Sequence, residues 1–225
     1  MWEKSVEFYR DFSKTWLEPL SENVTYLDLA GNAQFWGYHP RIDFRDATFS
    51  KVKRLRLACL TFSNKWHLQW LLSLQSLTEI WLETCVILTH AFFPHKPDEE
   101  GYPTAEVVFP INEITAELSQ VPVYRYRTGW NRYLDAFADS LSQLNSFVIR
   151  FNGFVDDSLL GAEGSDRLVK QRYHSFYYGD MRPTEWRFPG QPIVGDLLPK
   201  EQLKADEDAL ERLWNAISKR RTVRV

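Results

Sequence analysis

Four stretches of the chain repeat one pattern of apolar and polar positions. They are Val24-Thr-Tyr-Leu27-Asp-Leu29-Ala-Gly-Asn32, Val52-Lys-Arg-Leu55-Arg-Leu57-Ala-Cys-Leu60, Leu77-Thr-Glu-Ile80-Trp-Leu82-Glu-Thr-Cys85 and Leu144-Asn-Ser-Phe147-Val-Ile149-Arg-Phe-Asn152. Each places apolar residues at its first, fourth and sixth positions. Successive side chains of a strand point to opposite faces, so the fourth and sixth positions face a core and the third, fifth and seventh face outward. Two residues past each ninth position the pattern wants another apolar side chain; Phe62, Ile87 and Phe154 supply it and Gln34 does not. Elsewhere the period lengthens to that of a helix. Residues 3–17 carry Phe8, Phe12 and Trp16 on one stripe, stopped by Pro19. Helices are also predicted over Trp66–Gln75, Trp130–Gln143 and Asp206–Arg220, the last with Leu210, Leu213, Trp214 and Ile217 inward. Tyr173–Tyr178 and Trp186–Phe188 read as further short strands.

The nonapeptide matches the strand-and-turn core of a leucine-rich repeat, L-x-x-L-x-L-x-x-N/C. Its ninth residue turns the chain inward, where a buried Asn or a small Cys lies beside backbone groups that need partners. Leu27 and Leu55 are 28 residues apart and Leu55 and Ile80 are 25 apart, close to the roughly 20–29 residues of this repeat class. Ile80 and Phe147 are 67 apart, too far for one coil, and the excess is an insertion rich in proline. The expected fold is α/β: a short leucine-rich-repeat solenoid with parallel strands on the concave side, helices or coils outside, a loop insertion and helical ends. A single domain covers 1–225, with an N-terminal helix or cap over 1–23, repeats over 24–88, the insertion over 89–129, a further repeat and strand over 130–178, and a connector and helix over 179–225.

Stacking the four strands in register lines up three outward ladders. Tyr26, Arg54, Glu79 and Ser146 share one, Asp28, Arg56, Trp81 and Val148 the next, and Ala30, Ala58, Glu83 and Arg150 the third. Arg54 then lies beside Glu79, Arg56 lies between Asp28 and Trp81 where it can stack on the indole, and Glu83 can pair with Arg150. Trp and Arg concentrate binding energy at interfaces. The candidate protein-binding face is therefore Tyr26, Asp28, Arg54, Arg56, Glu79, Trp81, Glu83 and Arg150, with an exposed Trp81 as its anchor. The alternative is that these charges only satisfy one another.

Composition narrows the classes. A net charge of -3 with 25% charged residues gives no field favouring nucleic acid or an acidic membrane. No apolar run approaches the roughly 20 residues a bilayer requires, and Met1–Arg10 lacks the apolar core of a secretory signal. The acceptor pattern Asn23-Val24-Thr25 is therefore expected to be idle. Two cysteines, Cys59 and Cys85, exclude a disulfide scaffold and suit buried positions in a reducing compartment; cytoplasm or nucleus is expected. No catalytic, cofactor or metal residue is assigned, because no G-x-S-x-G, phosphate loop or H-E-x-x-H occurs. His90, His95 and Asp98–Glu100 fit no zinc spacing. They matter only to a second reading, an enzyme with a pocket under the 89–129 insertion and His90 or His95 as acid or base. Asp156, Asp157 and Asp166 read as a polar turn with a helix cap. Lys219, Arg220 and Arg221 with Arg224 read as a helix end favoured by its dipole. A third reading is a degenerate scaffold without a partner.

Phe49–Leu57, Leu74–Leu88 and Asp208–Arg220 carry a resemblance to the leucine-rich part of F-box-type proteins common in filamentous fungi, spanning about residues 15–220. The resemblance implies a substrate receptor of a cullin-type ubiquitin ligase, in which F-box helices grip the ligase adaptor and the repeats hold the substrate. A Leu-Pro-rich segment long enough to be an F-box is not evident in residues 1–23, so adaptor binding is expected only of a longer form. The implied partner is a protein on the concave face, with no nucleic acid and no membrane.

Overall fold

Each nonapeptide forms a five-residue strand over its third to seventh positions. These are β1 (Tyr26–Ala30), β2 (Arg54–Ala58), β4 (Glu79–Glu83) and β7 (Ser146–Arg150), in one parallel sheet of order β1-β2-β4-β7. The computed structural model describes residues 8–31, 36–39, 41–92, 96–102, 123–150, 173–177, 182–184 and 199–223. Leu27, Leu55, Ile80 and Phe147 align in one inward row, and Leu29, Leu57, Leu82 and Ile149 in the other. Leu55, Leu57, Ile80 and Leu82 are all but inaccessible, and burying each such side chain contributes about 1.5–3 kcal/mol.

The same backbone bonds recur at each step between strands. Before each strand, a second-position carbonyl accepts two N–H groups from the next coil. Thr25 O takes Lys53 N and Arg54 N at 2.8 and 3.1 Å, Lys53 O takes Thr78 N and Glu79 N at 2.8 and 3.0 Å, and Thr78 O takes Asn145 N and Ser146 N at 2.9 and 3.1 Å. After each strand, an eighth-position N–H donates to the seventh-position carbonyl of the next coil: Gly31 to Ala58, Cys59 to Glu83 and Thr84 to Arg150. At two of these bends a non-glycine residue adopts left-handed backbone, Cys59 at φ 61° and Thr84 at φ 52°. Such residues are uncommon, and here they turn the chain from the first sheet into a second.

That second sheet was not expected from the pattern. It holds β3 (Thr61–Phe62), β5 (Val86–Phe92), β8 (Tyr173–Tyr177) and β9 (Arg182–Thr184), in that order, with β6 (Val123–Arg125) also on β5. β3, β5 and β8 are parallel, and Trp36 bridges Leu60 in the same sense. The coils therefore follow one order in both sheets. β6 runs antiparallel to β5, pairing Phe92 with Val123 and His90 with Arg125. The stretch read as a loop insertion is thus rooted at both ends in strands. Of its residues, His95 lies outside the described ones, as do Asn32, Asn152, Phe154, Asp156, Asp157, Asp166, Trp186–Phe188 and Arg224.

Helix α1 (Lys65–Ser73) joins β3 to β4, and α2 (Trp130–Ser140) leads into β7. Helix α3 (Lys200–Val223) begins immediately after Pro199 and packs along α2. Two helical stripes differ from expectation. Residues 8–20 are helical, but a π-helical turn spans Ser13–Leu17. Its extra residue rotates the face, so Leu17 and Ser13 are buried while Phe8 and Trp16 are exposed. On α3, Leu203, Asp206, Leu210, Leu213 and Ile217 are buried, and Trp214 lies one step outside at 47% exposure. Among the described residues no helix is long and apolar enough to cross a membrane.

Asp206, fully buried on that apolar stripe, has a specific task. Helix α2 starts at Gly129 without a side-chain cap of its own, leaving its first N–H groups to find partners elsewhere. Asn131 N donates to Asp206 Oδ1 at 2.7 Å, Trp130 N donates to Tyr173 Oη at 2.8 Å, and Tyr173 Oη–H donates to Asp206 Oδ2 at 2.5 Å. Gln202 Nε2 adds a bond to Asp206 Oδ1 at 2.8 Å. At the other end of α2, Arg220 donates to the carbonyls of Ala138 and Leu144, and Arg221 to that of Asn145. The basic run read as a solvated helix end is thus partly spent inside the fold.

Two outcomes follow from this frame. Gly37 sits at φ 96°, and a methyl group there would overlap Leu60 Cδ1 and come within 3.1 Å of Thr61 O; Gly37→Ala is expected to lower stability by roughly 1–3 kcal/mol, and an unchanged denaturant midpoint would contradict this. Burial outweighs the three donors and raises the Asp206 pKa above 3.8. A carboxyl raised on folding is best tolerated while protonated. Its contribution to stability is therefore largest below about pH 4 and shrinks as pH rises through its folded value. The stability advantage of the protein over Asp206→Asn, measured by urea unfolding across pH 3–8, should decline with rising pH; an advantage that grows would refute the assignment.

Candidate binding face

The outward positions of β1, β2, β4 and β7 alternate with the buried rows, so the eight candidate residues share one side of the first sheet. Registers pair Tyr26 with Arg54 and Arg54 with Glu79, then Asp28 with Arg56 and Arg56 with Trp81, then Glu83 with Arg150. All eight are therefore brought together, although some of their contacts differ from those the ladders suggest.

Arg56 does not stack on Trp81. Its Nη1 donates to both oxygens of Asp28 at 3.0 Å, and its Nε and Nη2 donate to Glu83 Oε2 at 3.1 and 2.6 Å. Two carboxylates flank this guanidinium and hold its pKa above the ordinary arginine value; that attraction exceeds what a ring offers. Glu83 in turn meets Arg56 across one strand step. Arg150 takes the place over the Trp81 ring, 5.2 Å from its centroid. Trp81 is half-buried and not the open anchor expected. Its Nε1 is buried with no acceptor among the described residues. Arg54 Nε reaches Glu79 Oε2 at 3.7 Å, and the Tyr26 hydroxyl donates to Asp28 Oδ2 at 3.1 Å. Tyr26 is the most exposed aromatic of the face, at 55%.

The residues behind the enzyme reading are placed differently. His90 belongs to β5, and burial followed by Arg125 lowers its pKa. Asp98 and Glu100 are taken up by Arg41, and Glu100 also by Arg45. Among the described residues no group of three His, Cys, Asp or Glu is arranged to hold a metal ion. Both cysteines are free thiols. Cys85 is buried and its Sγ–H donates to Leu57 O of the preceding coil at 3.2 Å, so the ninth-position side chain turns toward the coil behind it. Cys59 is half-buried, and burial with the nearby Glu83 raises its thiol pKa.

No family model, curated protein or solved structure matches the chain.

The Arg56 pairs are partly open to solvent, and exposed pairs contribute about 0–1 kcal/mol each. Arg56→Ala should therefore cost less than about 2 kcal/mol and leave the far-ultraviolet circular dichroism unchanged. A collapse of the fold in this variant would mean that the pairs hold the sheet together and do not simply decorate it.

Proposed function

We propose that the chain is a non-enzymatic protein-binding module, a short leucine-rich-repeat solenoid whose outward face on β1-β2-β4-β7 receives a protein partner. Support for the repeat architecture comes from the recurring backbone bonds at three successive steps and from the shared coil order of the two sheets. The observation that carries the binding reading is the pre-set array on the open face. Arg56 is clamped between Asp28 and Glu83, and Arg150 lies over Trp81. Side chains already held in place lose less entropy when a partner arrives. The array mixes three acidic groups (Asp28, Glu79 and Glu83) with three arginines (Arg54, Arg56 and Arg150). A protein surface of alternating charge complements it better than a polyanion does. The resemblance to the repeat region of F-box-type proteins makes that partner a substrate held for ubiquitin transfer.

Affinity capture with the protein and with the Arg56→Ala, Trp81→Ala double variant tests this reading. A specific partner should be recovered at least tenfold less by the variant, while both proteins unfold cooperatively in the same assay. Equal recovery by the two would remove the face from the binding site. Recovery of a ligase adaptor with the partner would support the ubiquitin reading.

A further inference from the structure

The first coil leaves one side of its strand without a neighbour. Along a parallel strand, the backbone groups of successive residues turn to opposite sides. Thr25 O accepts from Lys53 and Arg54, and Gly31 N–H donates to Ala58 O, so the odd-numbered residues of β1 face β2. The N–H and C=O groups of Tyr26, Asp28 and Ala30 therefore point away from it. β1 stands at the end of the order β1-β2-β4-β7, and these groups have no backbone partner among the described residues. Solvent reaches them, since Tyr26, Asp28 and Ala30 are all exposed. A bare row of this kind is a template for another strand.

An apolar pocket of about 210 Å³ adjoins the end of this edge. The helical residues 8–20 supply Phe8 and Phe12, with ring centroids 5.5 Å apart, and the first coil supplies Leu29, Ala30, Trp36 and Ile42. Trp36 donates its indole N–H to Ala58 O at 2.7 Å, which fixes the ring and satisfies its one polar atom. Phe8 is 47% exposed, so the pocket opens to solvent. A cavity of about 150 Å³ holds a benzene ring; this one has room for a single apolar side chain of that size. Among the described residues, most of the exposed large apolar side chains belong to this end of the molecule, namely Phe8, Trp16, Leu20 and Tyr26. Contiguous apolar surface of this kind marks interaction sites.

We propose that the outer edge of β1 and the adjoining pocket bind an extended peptide segment of a partner protein, which adds a fifth strand to the first sheet. The edge selects an extended backbone, because that alone offers donors and acceptors at strand spacing. Side chains of the added strand alternate. One set stands beside Tyr26, Asp28 and Ala30, where Asp28 favours a Lys or Arg neighbour. The other set lies on the side of Leu29, where one apolar side chain enters the pocket. A second copy of this chain fits poorly. Two β1 edges joined antiparallel in full overlap, with Tyr26 opposite Ala30, set Asp28 against Asp28, and like charges directly opposite destabilise a pair. The site is separate from the outward face, since it uses the main chain of β1 and does not involve Trp81 or Arg150.

Titration of the isotope-labelled full chain with the blocked peptide Thr-Phe-Lys-Val-Thr, followed by nuclear magnetic resonance, tests the site. The amide protons of Tyr26, Asp28 and Ala30 should move downfield and gain protection from exchange as the peptide saturates. Replacing the peptide's N–H groups by N-methyl, or its Phe by Ala, should weaken binding about tenfold. Ala30→Pro removes one edge donor at a position where an edge strand tolerates proline, and it should weaken binding similarly at an unchanged unfolding midpoint. Should that variant unfold, the N-methylated peptide still decides. Trp81→Ala should bind as the unaltered protein does. Equal binding of the N-methylated peptide, shifts centred on Trp81, or no shift at all overturns the proposal. Protection of the three amides in the free protein also overturns it: if independent of concentration, another part of the chain already pairs with the edge, and if dependent on it, a second copy does.

Discussion

The paired N–H groups received by each second-position carbonyl govern the rest of the molecule. Thr25, Lys53 and Thr78 each accept from two successive residues of the next coil. Backbone polar groups shielded from water must find partners, and this arrangement gives one register in which they do. Register then decides sidedness, because a slip of one residue would exchange every inward side chain of a strand with its outward neighbours. Such a slip in β2 would turn Arg56 into the core and Leu55 and Leu57 out of it. The composition of the open face is in this sense a product of main-chain bonding.

Much of the first sheet was legible because its strands alternate and recur at fixed spacing. The three ladders of outward residues follow from counting alone. Contacts within a ladder do not follow, since an arginine reaches several neighbours and electrostatics selects among them; Arg56 has two carboxylates within reach and leaves the Trp81 ring to Arg150. The second sheet left a weaker trace. Val86, Ile87, Leu88 and Thr89 are buried one after another, and a short apolar run of this kind does not announce strand or helix by its period. The bends at Cys59 and Thr84 were hidden because neither residue is glycine. On α3, Asp206 stood only as the start of the predicted helix, because the groups that need it lie at Asn131 and Tyr173, far away in sequence.

Helix α3 treats α2 as a dipole. An acceptor carboxyl oxygen stands at the end where N–H groups are bare, guanidinium groups stand at the end where carbonyls are bare, and Arg212 meets Asp135 between them. Each placement matches the sign of the partial charge it faces, and the two helices run in the same direction. The arrangement links the start and finish of one helix to residues from a single later helix, so neither end of α2 is completed separately.

This linkage sets an order of assembly on the ribosome. The ladder joining β1, β2 and β4 draws only on residues up to Glu83, and it can close as soon as that length of chain has emerged. The fourth coil has no such independence. Its helix completes its N-terminal bonding only with Tyr173 and Asp206, and the carbonyls at and just beyond its C-terminal end meet donors only with Arg220 and Arg221. During synthesis, three strands of the first sheet can therefore join while the helix before the fourth stays uncapped until Asp206, Arg220 and Arg221 have emerged.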